Sequence, residues 1–484
     1  MTFLKKLSPR AAVSKKYSGQ ITVWLALSFL VFLSFYFVCL QSVWKQYQRK
    51  QAEQAAEAGM FSLFSEYEPH LLKKYDLFCL DTSFGGGVER TDELCSHLWK
   101  FTEQNITDAS GGPLYGLNLQ GVNIERMVRL TDGFGASFFH QAVEVMKEKT
   151  GVSAADDWIL EDLLQRQGDA EGDTERFQED CNEYEGSVRD YEEEDDEEED
   201  QSMDPQARQW DGLWNEFTLE KAVPGDFPVS EKTFVSETLP SQRELSVGAG
   251  KTAETTEQIL QKPWLIRYLC EYMSHAQEML PERREEGWLD YQLEYIIAGK
   301  TSDSENLSSV IGRLLLIREG ANYIFLLTHP ELKEKAEALA LVLAGMTGNI
   351  GLVKSLEQLI LLGWAYGESV VEVRQLLGGS ELVLMKGTEN WQVPLSGLLP
   401  ALNDPGRYDV QVHRQEGIDY ETYLSLFLMA GSAEDLCMRA LDVIEGEVSR
   451  MEGCQNLHLD HCVDFITAQI WMENIYLERS YGYE

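Results

Sequence analysis

The sequence predicts an α+β protein carried on one N-terminal transmembrane helix. Three observations lead there. Residues 21–40 hold no charge and are mostly apolar. A helix rises about 1.5 Å per residue, so about 20 such residues cross a ~30 Å hydrocarbon core. Beyond them, apolar residues recur mostly at helical spacing, with a few strand-like stretches between. Finally, every residue from Asp190 to Asp200 except Tyr191 is acidic. Such a block buries no apolar surface and separates two globular regions.

Residues 1–20 form a basic leader. It carries Lys5, Lys6, Arg10, Lys15 and Lys16 and no acid, against Lys45, Arg49 and Lys50 just beyond the span. The Lys/Arg excess places the N-terminus in the cytoplasm and the bulk of the chain outside it. The run 21–40 is longer than a secretory h-region, and it ends in Phe37-Val38-Cys39 without a small-residue cleavage site. It reads as an uncleaved signal anchor of a single-pass cell-membrane protein, with the lipid bilayer as its first partner.

Past the span, Ala52, Ala56, Met60, Leu63 and Tyr67 keep one apolar helical face, opposite Glu53, Gln54 and Glu57. No proline stands between Pro9 and Pro69. One extended helix is therefore expected from the membrane to about Glu66. Residues 75–81 read as a short strand and 117–130 as a second, with helices over 138–149 and 154–165. Together, 41–166 form a small membrane-proximal α+β domain. Residues 167–255 read as a disordered acidic linker. Within it, Trp210, Leu213, Trp214 and Phe217 sit at helical spacing and suggest a short docking helix. Residues 256–484 form a mostly helical α+β domain. Its helices are expected at 257–280, 306–327, 332–344, 354–364, 368–377, 420–429 and 433–450. Its strands are expected at 288–297, 382–385 and 462–472. Within 288–297, Tyr291, Leu293 and Tyr295 alternate with Gln292 and Glu294. Gly299 permits a turn, and Asp303 is placed to cap the next helix.

The net charge of −40 is uneven. The first 50 residues hold eight bases and no acid, so the remainder holds 33 bases against 81 acids. An acidic body argues against nucleic acid and against an anionic membrane surface, both of which need basic patches. Of the eight cysteines, Cys39 lies in the span. Cys79–Cys95 and Cys454–Cys462 are both open as disulfides, since connectivity does not follow from spacing.

Three patterns invite a chemical reading. Gly248-Ala-Gly-Lys-Thr252 resembles the end of a phosphate loop, but Leu245 stands where the first glycine belongs and no buried strand precedes it, so no nucleotide is expected. Cys454, His458, His461 and Cys462 are ligand types at metal-like spacing. Gly453 and Asn456 weaken a helix there, and the following CVDFITAQIWM reads as a strand, so the segment is a loop into a core strand. Asp290, Glu294, Asp303, Glu319 and Glu368 supply carboxylates, with Lys300, Arg318 and Lys386 as partners. Arg318, Glu319 and Glu368 are expected to form a buried ion network holding helices in register. No nucleophile elbow, His-Glu-x-x-His or papain-like cysteine is present. No catalytic, cofactor-binding or metal residue is assigned, and the chain is read as non-enzymatic.

Two stretches resemble known families. Ser18-Gly19-Gln20-Ile21-Thr22-Val23-Trp24, followed by the span, resembles the start of TadE- and TadG-like pseudopilins. That resemblance implies a helix that anchors first and packs later, with Trp24 standing where pilins carry Glu. The block 289–300 with Ser302, Asp303, Asn306 and Leu307 resembles an uncharacterised domain family. Ile317-Arg318-Glu319, Asn322, Trp364-Ala365, Glu368-Ser369, Val373-Arg374 and Leu377-Gly378-Gly379 fit it as well. That family occurs in single-span membrane proteins of anaerobic Gram-positive bacteria, often beside Tad-type pilus or secretion genes. The resemblance implies an accessory component of such a system, with other envelope or pilus-type proteins as partners through the N-terminal helix. The alternative is a cell-envelope enzyme or ligand-binding sensor using the C-terminal domain.

Overall fold

The computed structural model describes residues 18–150, 219–225, 227, 229–249, 255–278, 287–344, 350–383, 386–388, 390–408 and 417–483. The elements used below are, in chain order, α1 (Ser18–Phe64), α2 (Pro69–Tyr75), β1 (Leu80–Asp81), α3 (Thr91–Gln104), β2 (Leu119–Arg129), α4 (Asp132–Thr150), α5 (Leu219–Ala222), α6 (Thr255–Tyr272), α7 (Gln292–Ala298), α8 (Asp303–Thr328), α9 (Pro330–Ala344), α10 (Ile350–Leu377), α11 (Leu398–Asn403), α12 (Tyr420–Ala430), α13 (Ala433–Val448), β3 (Cys462–Met472) and β4 (Ile475–Gly482). The α+β class holds, with a small sheet in a mostly helical chain. The sheet runs β1-β3-β2, with β4 also pairing β3. Leu80 faces Val463 and Asp81 faces Cys462 in an antiparallel pair.

The chain forms two compact units. The first comprises the described residues within 1–66, 91–125 and 466–481. Its spine is α1, 47 residues and about 70 Å of unbroken helix. The span reads as expected: the apolar window of α1 is wholly unburied, with Trp24 and Phe32 more than two-thirds exposed. This helix is long and apolar enough to cross a membrane. Burial begins where the residues become small. Ala52, Ala55 and Ala56 pack with Ile106, Leu117, Ile470, Met472 and Leu477. Gly59 lets α3 approach closely, because a Cβ there would lie 3.2 Å from the Thr102 Cα and closer still to its hydroxyl.

The second unit comprises the described residues within 67–90, 126–465 and 482–484. Its larger core gathers α2, α4, α6, α7, α8, α12, α13 and the end of α10 around Phe138, Tyr268, Leu293, Leu314 and Ile444. A smaller core joins α8, α9, α10 and α11 around Trp364, Ala336 and Leu398. α10 runs unbroken where two helices, 354–364 and 368–377, were expected.

Several expectations are corrected. Residues 292–298 are helix α7, not strand, and Gln292 and Glu294 are buried as fully as their apolar neighbours. The alternation there marks no exposed face. Gly299 caps α7 in the left-handed region, at φ 66°. Ser302, not Asp303, caps α8, accepting from the Glu305 amide. Residues 69–75 are helix, leaving only Leu80–Asp81 as strand. Leu382 makes a single bridge to Ile418. The helix expected over 257–280 ends at Tyr272.

Residues 219–225, 227 and 229–249, expected within the linker, are part of the second unit. Phe234 sits between Trp288 and Tyr295, with ring centroids 4.7 and 5.2 Å away. The rest of that linker before 219, the docking helix near Trp210 and the helix expected over 154–165 lie outside the described residues. The described cysteines, Cys79, Cys95, Cys454 and Cys462 among them, are free, so neither open disulfide forms.

Candidate functional site

Four of the five carboxylates singled out above, Asp290, Glu294, Asp303 and Glu368, fall into three groups inside the second unit, while Glu319, expected in the ion network, is buried on α8 near Tyr366. The first centres on Glu372, one helical turn beyond Glu368 on α10. Arg318 on α8 donates from Nε to Glu372 Oε2 at 2.9 Å and from Nη2 to Oε1 at 2.7 Å. Asn322, one turn along α8, donates to the same Oε2 at 2.8 Å and to Ser369 Oγ at 2.9 Å. Lys386 lies 2.8 Å from Glu372 Oε1 and also pairs with Glu368. The backbone amides of Gln392 and Val393 donate to the two oxygens of Glu368. Two cations and two carboxylates therefore balance in a closed core. Burial opposes charge on Glu372, but Arg318 and Lys386 beside it hold its carboxyl down at about 2. The expected partners Arg318 and Glu368 share this network, joined through Glu372 and Lys386. Arg374 points elsewhere, donating to the Lys221 and Val223 carbonyls.

The second group pins α7 and the start of α8 to the segment 230–234. Asp303 accepts from Ser230 Oγ at 2.6 Å, from the Asp290 amide at 3.0 Å and from the Tyr291 amide at 3.3 Å. Lys232 Nζ reaches Asp290 Oδ1 at 2.6 Å. The Asp303 side chain is thus a brace across a loop. Lys300 offers its backbone amide to Asn306.

The third is Glu294, fully buried on α7. Its Oε1 accepts from the Ala276 amide at 2.9 Å and from the Tyr420 hydroxyl at 2.7 Å. Burial pushes its carboxyl up to about 7. Asp290, Glu294 and Glu368 therefore serve three separate braces.

The Gly248 amide donates to Asp132 Oδ1 at 2.8 Å, so a carboxylate stands where a phosphate loop would present its amides. Residues 250–254 lie outside the described set. The cysteine–histidine quartet splits up. The His458 and His461 rings stay together, with centroids 5.6 Å apart, but His458 faces Glu445, Cys454 meets Glu68 and His70, and Cys462 lies against Cys79. Glu68 and His70 are 384 or more residues from Cys454, so nothing local in the sequence joins them.

A family model matches residues 194–474, more than half of the chain. The chain belongs to DUF5702, a family of unknown function. The DUF5702 match takes in all three carboxylate groups and ends in the turn between β3 and β4. Comparison with curated proteins and with solved structures finds no match.

Proposed function

We propose that this DUF5702 protein is a single-pass cell-membrane protein with its acidic body outside the cytoplasm. In this reading it is a non-enzymatic, pseudopilin-like accessory component of a Tad-type pilus or secretion system in an anaerobic Gram-positive bacterium. The observation that carries the reading is α1. It is one unbroken helix whose first part is apolar and unburied and whose second part is the packed spine of a folded unit. That division of labour is what the likeness of residues 18–24 to pseudopilins implies. The five bases before the span, against three after it, support a cytoplasmic N-terminus. The braced carboxylates support a non-enzymatic body, since Glu294 through Oε1, Glu372 and Glu368 all accept from structural donors.

The lipid-facing part of α1 is then the surface that meets neighbouring helices. A photo-crosslinking residue at Phe32, followed by mass spectrometry of adducts formed in the cells, tests this. Adducts with pilus-type membrane proteins support the proposal. Adducts with lipid alone contradict it.

A further inference from the structure

Among the described residues, two places bring three metal-ligand side chains within 4.8 Å of one another. At Glu445, His458 and Asp460 a cation is already present. Arg243 donates to Glu445 Oε2 at 2.8 Å and pairs with Asp460 as well. The charge there is answered within the chain.

Glu68, His70 and Cys454 differ. Glu68 Oε1 lies 2.7 Å from His70 Nδ1, Cys454 Sγ lies 3.2 Å from the same nitrogen, and the sulfur and carboxylate are 3.7 Å apart. A cysteine–histidine–carboxylate relay would use both ring nitrogens, one toward the thiol and one toward the acid. Here one nitrogen faces both partners, an arrangement that suits a shared centre and not a proton relay.

The spacing also suits a metal. Zinc bonds of about 2.0 Å to nitrogen or oxygen and 2.3 Å to sulfur, in a tetrahedron, put ligand atoms roughly 3.3–3.6 Å apart. The triangle needs to open by well under 1 Å on its Glu68–His70 side.

Its corners are held by the fold. Glu68 caps α2 ahead of Pro69, and its amide bonds the Cys79 carbonyl at 2.9 Å. Cys454 follows Gly453, which turns the chain at φ 91°, and its own carbonyl accepts from the Leu457 amide. The sulfur is buried, while the His70 ring is 39% exposed, leaving a solvent side to the cluster.

We propose that Glu68, His70 and Cys454 bind one zinc ion, with water in the fourth position. Burial pushes the Cys454 thiol up to about 11, and the nearby negative Glu68 and Asp81 add to this. Binding forms the Sγ–zinc bond and releases the thiol proton to solvent, so affinity rises with pH. This inference stands independently of the proposed membrane role.

The test uses the full chain in detergent, stripped with chelator and titrated with cobalt(II), then with zinc against a competing chromophoric chelator. The expected result is a sulfur-to-cobalt charge-transfer band that saturates at one equivalent, vanishes in Cys454→Ser and survives in Cys270→Ser. Zinc affinity falls at least tenfold in Cys454→Ser and in His70→Gln. A band that is absent from the parent protein, or that persists in Cys454→Ser, overturns the proposal. If Cys454→Ser does not fold, the partly exposed His70→Gln decides, and unchanged zinc affinity there overturns it.

Discussion

Arg318 and Glu372 form a two-pronged ion pair in which the side chains are 0% and 1% exposed. Breaking one partner of such a pair strands a buried charge, at a cost of about 3–5 kcal/mol. Arg318→Met should lower the urea midpoint accordingly, with the slope unchanged. The double variant Arg318→Met/Glu372→Met should lose less than the two single losses summed, because the stranded charge is gone. Additive losses would mean that the pair is not energetically coupled.

Glu294 gives the second unit a pH dependence of known sign. Its folded pKa, about 7, lies above its ordinary value of 4.5. The folded state therefore binds the proton more tightly. The stability from this group is full below about pH 4.5 and is lost as pH rises toward 7, by on the order of 3 kcal/mol. Glu294→Gln keeps an oxygen for the Ala276 amide and Tyr420. It should remove the decline and be the more stable protein at pH 8, as read by denaturation at pH 5, 6, 7 and 8.

Gly59 and Gly312 should respond in opposite directions. A side chain at Gly59 collides with Thr102, so Gly59→Leu should force α1 and α3 apart and cost about 1–3 kcal/mol. Gly312, inside α8, has open space around the position of a Cβ. Gly312→Ala should gain about 0.5–1 kcal/mol through helix propensity. Thermal melts of the two variants beside the parent protein check both.

Leu30 lies in the middle of the apolar part of α1 and is exposed. A charge there costs roughly 2.5–3.5 kcal/mol of insertion. Leu30→Lys should move the protein out of the membrane fraction after carbonate extraction, whereas Leu30→Ile should leave it there.

Much of the fold is legible because long elements repeat their signal. α1, α8 and β3 follow from unbroken apolar runs or periodicity over 11 residues or more. Short elements mislead where polar residues are buried. At α7, Gln292 and Glu294 look like the wet face of a strand, yet Glu294 spends its carboxylate on the Ala276 amide and Tyr420. The packing of 229–249 is hidden by the acidic composition around it. It rests on single anchors such as Phe234 and on Arg243 between Glu445 and Asp460. Of the candidate residues, Arg318 and Glu368 were legible as network members, because one Arg and one Glu sit on apolar helices. Glu372 was not singled out, and the contact of Glu68 and His70 with Cys454 needs the fold itself.

The central claim is that α1 crosses the membrane once and holds the acidic body outside. The most direct measurement adds protease to intact protoplasts and follows the C-terminal region by immunoblot. Digestion of the body without lysis is the expected result. A body that stays full-length until the cells are lysed would place it in the cytoplasm and contradict the account.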